Sequence, residues 1–237
     1  MKFKYSCACP LGYKGRVCEI YAPPSCLDVK TKQPLAASGV YTIHDTISGS
    51  SFQTYCDFSS EPNFVWTLIE SFAFSNFWYF RYQPFDDDFP RNEASPPNWS
   101  DFRLAKTSML FVRNQGTTHF RATCDFEKDS SDINADYLRG KITTLDILSW
   151  TPYSNECILY ERVLVAGVGC EDCTADTWTG GYHLHLEDNS CKLSEMFNSV
   201  PDPRREYFGY YGNEVNAQHQ CVMSDASTTQ WWLGVQV

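Results

Sequence analysis

Lysine and arginine are scarce in this sequence. The chain has 237 residues with 19 Lys and Arg against 29 Asp and Glu, which gives a formal net charge of -10. Binding to a nucleic-acid backbone needs clustered cations that release counterions from the phosphates. Because the chain has no basic run, we exclude DNA and RNA as partners.

Long apolar runs are also missing. The best one, 158–168, is interrupted by Glu161 and Arg162, whereas a membrane-spanning helix needs about 20 apolar residues. The sequence therefore predicts no membrane span. The segment Met1–Cys7 contains no apolar stretch of the kind found in a secretory signal, so we expect this chain to be a fragment of a longer precursor.

Catalytic signatures are the third absence. The sequence has no nucleophile elbow, zincin helix, phosphate loop or paired-carboxylate signature. Its histidines stand in no motif context: His44, His119, His183, His185 and His219. We therefore expect a protein that is not an enzyme.

Cysteine and aromatic residues, by contrast, are abundant. Hydrophobic residues make up 43% of the chain and aromatic residues 16%, which is enough to form a packed core. Eleven cysteines favour an oxidising compartment, where they cross-link a chain rich in loops. We predict a secreted protein, and the odd number leaves one cysteine without a partner within this chain.

The first cysteines form a compact pattern. Cys7 and Cys9 are followed after eight residues by Cys18, with glycines at Gly12 and Gly15 that allow tight turns. The pattern resembles the C-terminal half of an EGF-like domain over residues 1–21. That resemblance implies a Cys9–Cys18 disulfide and a partner for Cys7 upstream of Met1. The alternative is another kind of small disulfide knot.

A Pro-rich linker, 22–25, separates this module from the main domain, 26–237. Runs of β-branched and aromatic residues at 39–43, 51–58 and 64–69 predict antiparallel strands. The sequence resembles the start of a fibrinogen-like domain, and of the related intelectin-type lectins, at four places: Ser25 with Cys26, Gly39–Tyr41, 53–57 and Trp66–Leu68. The resemblance implies a Cys26–Cys56 disulfide, and it fades after about residue 72.

Beyond that point the pattern remains mostly strand-like. We predict a short helix opening at 98–102, a hairpin of strands 109–113 and 118–124, and a long strand at 158–168. The segment 136–148 is a moderate helix candidate, and 231–237 is predicted to be a final core strand. The fold class is therefore α+β, mostly antiparallel β and disulfide-rich. Six further cysteines allow fifteen complete pairings, among which sequence does not choose: Cys124, Cys157, Cys170, Cys173, Cys191 and Cys221.

Five groups of residues carry candidate sites. Cys170 and Cys173 with His183 and His185 have the residue types of a zinc site, although disulfide formation is the competing interpretation. Asp86–Asp88 and 187–189 are oxygen-rich clusters for weak calcium binding or merely solvated charges. The aromatic segment 207–211 could stack on sugars or pack in the core. Asn98 lies in an Asn-Trp-Ser glycosylation sequence. No metal ligand is assigned, and no cofactor is expected apart from weakly bound calcium.

The arrangement of modules indicates an extracellular role. The sequence is similar to EGF-containing proteins of the skeletal organic matrix of corals. This resemblance implies a secreted structural or adhesive matrix protein whose partners are matrix proteins, glycans or calcium mineral. The alternative is a calcium-dependent lectin of the fibrinogen and intelectin type.

Overall fold

The computed structural model describes residues 8–130, 135–149, 156–178, 181–187, 191–196, 206–212 and 215–237. These residues form a mostly antiparallel β structure with few helices. The strands are β1 (Tyr13–Lys14), β2 (Ile20–Tyr21), β3 (Gly39–His44), β4 (Ser51–Asp57), β5 (Phe64–Ala73), β6 (Asp101–Arg103), β7 (His119–Cys124), β8 (Tyr137–Lys141), β9 (Glu156–Val165), β10 (Val168–Trp178), β11 (His185–Glu187), β12 (Glu206–Tyr207) and β13 (Thr228–Gln236). The helices are α1 (Cys26–Lys32), α2 (Phe77–Phe80), α3 (Lys106–Asn114) and α4 (Lys192–Met196).

One large sheet organises the main domain. Its strand order is β12-β11-β10-β9-β8-β7-β13-β5-β4-β3, and β6 adds to β5. The C-terminal strand β13 lies between β5 and β7, which confirms the prediction of a final core strand. The predicted strands at 39–43, 51–58, 64–69 and 118–124 are confirmed as β3, β4, β5 and β7.

The core is built on tryptophan. Trp66, Trp231 and Trp232 are fully buried on β5 and β13. Gly234 lies against Trp66, where an added Cβ would come within 2.2 Å of a ring carbon, so the close approach of the two strands requires glycine. A second, smaller cluster lies under α1: Cys26, Ile43, Cys56, Val65 and Phe111.

Three predicted elements have the wrong type of secondary structure. The segment 109–113 belongs to helix α3 rather than to a strand. Its first backbone N–H groups are satisfied by side chains from a preceding loop, because Glu93 accepts from Ala105 N at 2.6 Å and Asp88 accepts from Lys106 N at 2.9 Å. These contacts satisfy orphan donors at the helix start. They come from residues twelve and eighteen positions away, outside the local pattern.

The other two corrections concern predicted helices that do not form. The segment opening at 98–102 contributes β6, which pairs with β5, and the start of 136–148 forms β8 between β7 and β9. Both segments complete neighbouring ladders, and this tertiary pairing overrides weak local helix propensity.

The predicted single strand at 158–168 is a hairpin. Strands β9 and β10 meet at the two-residue turn Ala166–Gly167, whose φ angles are 50° and 78°. Positive φ at both central residues matches the twist of the flanking strands in a two-residue β-hairpin. Ala166 is an uncommon residue at such a position, so the local sequence contains no strong turn signal.

Five disulfides link the described residues. They join Cys9–Cys18, Cys26–Cys56, Cys124–Cys221, Cys157–Cys191 and Cys170–Cys173. The first two are the pairs that the sequence resemblances imply, and the other three select one of the fifteen open pairings. Cys7 lies outside the described residues. No helix in the described part of the chain is long and apolar enough to cross a membrane.

Candidate functional site

A group of exposed aromatic rings lies beside the end of the sheet that carries β11 and β12. Helix α2 buries Phe77 and Phe80, which turns its other residues toward solvent. Trp78, Tyr79 and Tyr82 are 51%, 58% and 51% exposed. We call these three residues, with Tyr182 and Tyr210, the aromatic surface. Neighbouring exposed rings of this size are more often found at interaction sites than scattered on a surface.

Arg81 holds the aromatic surface together. The side chain is buried, and its guanidinium carbon lies 4.6 Å from the Trp78 ring, 4.8 Å from Tyr82 and 4.1 Å from Tyr210. It also donates a hydrogen bond to the Tyr210 hydroxyl. Cation–π contacts of a desolvated guanidinium are worth about 2 kcal/mol. The rings are thus fixed in place before any partner binds.

The tyrosines also contact one another. The ring centroids of Tyr82 and Tyr182 are 5.4 Å apart, and those of Tyr182 and Tyr210 are 5.0 Å apart. Tyr210 stacks on the His185 ring at 5.2 Å. The chain reaches this position through Gly209, where a Cβ would come within 2.1 Å of the Leu184 carbonyl oxygen. Glycine is therefore required for the loop to pass so close to the strand.

Two carboxylates adjoin these rings. Glu187 on β11 and Glu206 on β12 are direct partners across the two strands. Burial, and then the negative charge of Glu187, raise the pKa of Glu206 to about 7. Arg81 acts in the opposite direction. The pair can therefore hold a proton near neutral pH, which would make the local charge depend on pH.

His185 links the carboxylates to the backbone. Its Nδ1 lies 2.7 Å from the His183 carbonyl oxygen, and its Nε2 lies 3.3 Å from Glu187 Oε1. Because a carbonyl oxygen only accepts hydrogen bonds, Nδ1 carries a proton. The ring is held in one orientation, with Nε2 toward the carboxylate.

A buried ion pair supports the site from below. Glu70 Oε2 accepts from Arg103 Nη1 at 3.0 Å, and Glu70 Oε1 lies 2.5 Å from His183 Nε2. Arg103 also donates to the carbonyl oxygens of Gln83 and Pro84 at 2.8 and 2.7 Å. The network ties the loop after α2 to the segment just before β11. Buried charges with several hydrogen bonds of this kind favour one arrangement of the chain.

The sequence-predicted residues are partly brought together. His185 and Glu187 meet at the aromatic surface, whereas His183 is committed to Glu70 in the core. From the aromatic segment 207–211, only Tyr210 lies at this surface, since Tyr207 and Tyr211 are buried in the core. The rest of the cluster 187–189, namely 188–189, falls outside the described residues.

The proposed zinc and calcium ligands have other roles. Cys170 and Cys173 are bonded to each other, so their sulfurs are not free to bind zinc with the histidines. Asp86–Asp88 is exposed; there, Asp88 caps α3 and the Asp87 carbonyl oxygen accepts from Arg103 at 3.1 Å. The cluster thus has a structural role that its sequence did not indicate.

Asn98 lies in a surface loop. Its Oδ1 accepts a hydrogen bond from the Ser100 hydroxyl at 2.9 Å. The residue borders a shallow cleft of about 570 Å³ that is also lined by Trp99, Glu127 and Asp225. The cleft offers room for a sugar attached to the asparagine.

Sequence reasoning missed Trp78, Tyr79, Arg81 and Tyr82. A signal was available, because five of the six residues Phe77–Tyr82 are aromatic and the sixth is arginine. A helix buries only one face, so a short helix and the residues that follow it do not need all five rings for the core.

Comparison with known proteins does not assign the chain to a family. No protein-family model matches it, and no curated protein matches it.

Proposed function

We propose that this chain is part of a secreted extracellular-matrix protein with a structural and adhesive role, and that it binds its partners through the aromatic surface. The observation that carries the proposal is the set of half-exposed rings held by the buried Arg81 guanidinium. Aromatic residues fixed in position lose little conformational entropy on binding and dominate many interfaces.

The disulfides support the extracellular location. Five of them join the described residues, and such cross-links persist in oxidising compartments. The net charge of -10 would attract calcium ions to the surface. A role in the organic matrix of a calcified skeleton agrees with that charge and with the sequence resemblance.

The alternative is a lectin of the fibrinogen or intelectin type. It is favoured by Glu187, Glu206 and His185 beside the exposed rings, because sugars are bound by stacking on rings and by hydrogen bonds to polar groups. The calcium dependence of such a lectin has no candidate in the described part of the chain. The one group there that could gather three His, Cys, Asp or Glu ligand atoms is Cys124, His219 and Cys221.

Solid-phase binding distinguishes the two functions. The purified chain is applied to immobilised matrix proteins and to a glycan array, each with and without calcium. A matrix adhesion protein binds matrix proteins without being displaced by chelator or free sugar, whereas a lectin shows saturable binding to particular glycans.

The variant Trp78→Ala/Tyr82→Ala tests the surface itself. We expect it to lose at least tenfold in affinity for the matrix partner. Tyr13→Ala is the matched control, because Tyr13 is an exposed tyrosine of the N-terminal hairpin. Unchanged binding by the double variant, or equal loss in the control, would contradict the proposal.

A further inference from the structure

The Cys124–Cys221 disulfide lies against His219, whose Nε2 makes no hydrogen bond within the described part of the chain. A ring nitrogen of His219 and the two Sγ atoms lie within 4.8 Å of one another. The His219 side chain is 1% exposed, and its Nε2 makes no hydrogen bond to any described residue. An unsatisfied buried nitrogen costs free energy, so its placement needs an explanation.

Asp136 fixes the orientation of this histidine. Asp136 Oδ2 lies 2.6 Å from His219 Nδ1 and also accepts from Gln220 N at 2.6 Å. Asp136 Oδ1 accepts from Ala166 N at 2.7 Å. The carboxylate therefore accepts the Nδ1 proton, and Nε2 is the ring nitrogen left for a ligand. A carboxylate behind a histidine is the usual outer partner of a metal-binding imidazole.

We propose that Cys124, Cys221 and His219 form a redox-gated site for a borderline-soft divalent cation, with zinc as the best match. The oxidised chain holds the two sulfurs in a disulfide and has no site. A dithiol reductant supplies two electrons and two protons, becomes a disulfide itself and leaves two thiols on the chain. Each thiol releases its proton when its sulfur binds the cation.

The donor set fits that class of metal. Zinc prefers thiolate sulfur and imidazole nitrogen in a four-coordinate arrangement. Three protein ligands leave one position for water or a small ligand. Cys124 and Asp136 also line a cleft of about 170 Å³, so the site lies next to a cavity. The site is separate from the aromatic surface and does not depend on the proposed function.

Cobalt is the probe for this site, because thiolate ligands give Co²⁺ an intense charge-transfer absorption that water ligands do not. The full chain is used with Cys7, Cys9 and Cys18 replaced by serine, so that the N-terminal thiols do not compete. After mild reduction, with folding checked by circular dichroism, we expect one Co²⁺ per chain with a thiolate charge-transfer band. The folded oxidised chain should show no band.

Three variants of this background assign the ligands. Cys124→Ser/Cys221→Ser should abolish the band, and His219→Gln, which retains a donor for Asp136, should weaken Co²⁺ binding at least tenfold. Cys170→Ser/Cys173→Ser removes a different disulfide and should leave the band unchanged. The proposal is overturned if His219→Gln binds as tightly as its parent, or if the band follows the control pair.

Alkylation provides a test without variants at the histidine. In the reduced chain, Zn²⁺ should slow the reaction of Cys124 and Cys221 with iodoacetamide at least tenfold, while Cys170 and Cys173 react at an unchanged rate. Equal protection of both pairs, absence of protection, or unfolding of the chain on reduction of Cys124–Cys221 would each refute the site.

Discussion

The buried Arg121 side chain provides the most specific test of which contacts stabilise the fold. Its guanidinium carbon lies 4.5 Å from the Trp66 ring and 4.7 Å from the Trp232 ring. Its Nη2 donates to Asp57 Oδ2 at 2.8 Å, and both side chains of this pair are almost completely buried, at 2% and 1% exposure. Asp57 also accepts from Ser59 N at 3.1 Å. The pair thus connects the central strands to the loop after β4.

Replacing Arg121 by methionine leaves the Asp57 charge buried without its cation. Breaking a buried ion pair on one side costs about 3 to 5 kcal/mol of unfolding free energy. In a domain of this size that corresponds to a fall in melting temperature of roughly 8 to 15 °C. The matched control is Arg113→Met, because Arg113 pairs with Asp146 at 2.6 Å but is 40% exposed. That change should cost about 1 kcal/mol or less.

The assay is urea unfolding followed by tryptophan fluorescence, to which the buried Trp66 and Trp232 contribute among the seven tryptophans of the chain. Arg121→Met combined with Asp57→Asn should cost less than the sum of the two single changes, because the uncompensated charge is gone. If Arg121→Met and Arg113→Met lower the unfolding free energy equally, the buried Arg121–Asp57 pair does not stabilise the fold more than an exposed ion pair does.

The same pair predicts a pH dependence. Burial acts to raise the pKa of Asp57, but the Arg121 charge and the hydrogen bonds from Ser60 and Ser59 outweigh it and hold the pKa below its usual value. A lowered folded-state pKa contributes stability above the unfolded pKa of about 4, and that stability is lost as the pH falls through the folded value. The stability difference between the wild type and Arg121→Met should therefore shrink below about pH 4.

Three further outcomes are expected. Gly234→Ala should lower the unfolding free energy by more than about 2 kcal/mol, because the added Cβ would come within 2.2 Å of the Trp66 ring. The control is Gly39→Ala, whose added Cβ meets no atom within 4 Å. This control should change the unfolding free energy by less than about 1 kcal/mol in the same assay. Because the pKa of Glu206 is raised to about 7, the protonated side chain contributes its full stability below the unfolded-state pKa of about 4.3, and this contribution is lost as the pH rises through 7. Glu206→Gln should therefore flatten the decline in melting temperature between about pH 5 and 8. An unchanged pH profile in this variant would contradict the assignment. Asn98 should carry a glycan when the chain is made in a eukaryotic secretory pathway, so peptide mass spectrometry should find a sugar mass there that Asn98→Gln abolishes, and an unmodified Asn98 would refute the prediction.

The central strands could be predicted because their signals are local. The run 64–69 is β-branched or aromatic at every position except Leu68, which is typical of a strand buried on both faces, and in the structure every residue of β5 is buried. The strand β13 is recognisable for the same reason. The mostly antiparallel fold class thus follows from short stretches of sequence that need no distant partner.

The elements that sequence reasoning missed depend on distant residues. Helix α3 begins where Asp88 and Glu93 satisfy its first N–H groups, and β6 exists because it pairs with β5. The local pattern of either segment does not contain that information.

Only part of the candidate site could be predicted from the sequence, for a similar reason. His185 and Glu187 are two residues apart, so the sequence alone places them near each other. Their approach to Tyr210 and Arg81 depends on Gly209 passing close to Leu184, just before β11, which is a tertiary arrangement. Two of the three open cysteine pairings have the same cause, since Cys124 and Cys221 are 97 residues apart and Cys157 and Cys191 are 34 residues apart.

The disulfide pairing of the native, unreduced chain tests the account most directly. It is measured by a non-reducing peptide map read by mass spectrometry. The account predicts peptides linked through Cys9–Cys18, Cys26–Cys56, Cys124–Cys221 and Cys157–Cys191, with a short intrapeptide bridge at Cys170–Cys173. Native material in which these cysteines are mostly free thiols, or are joined in other combinations, would contradict it.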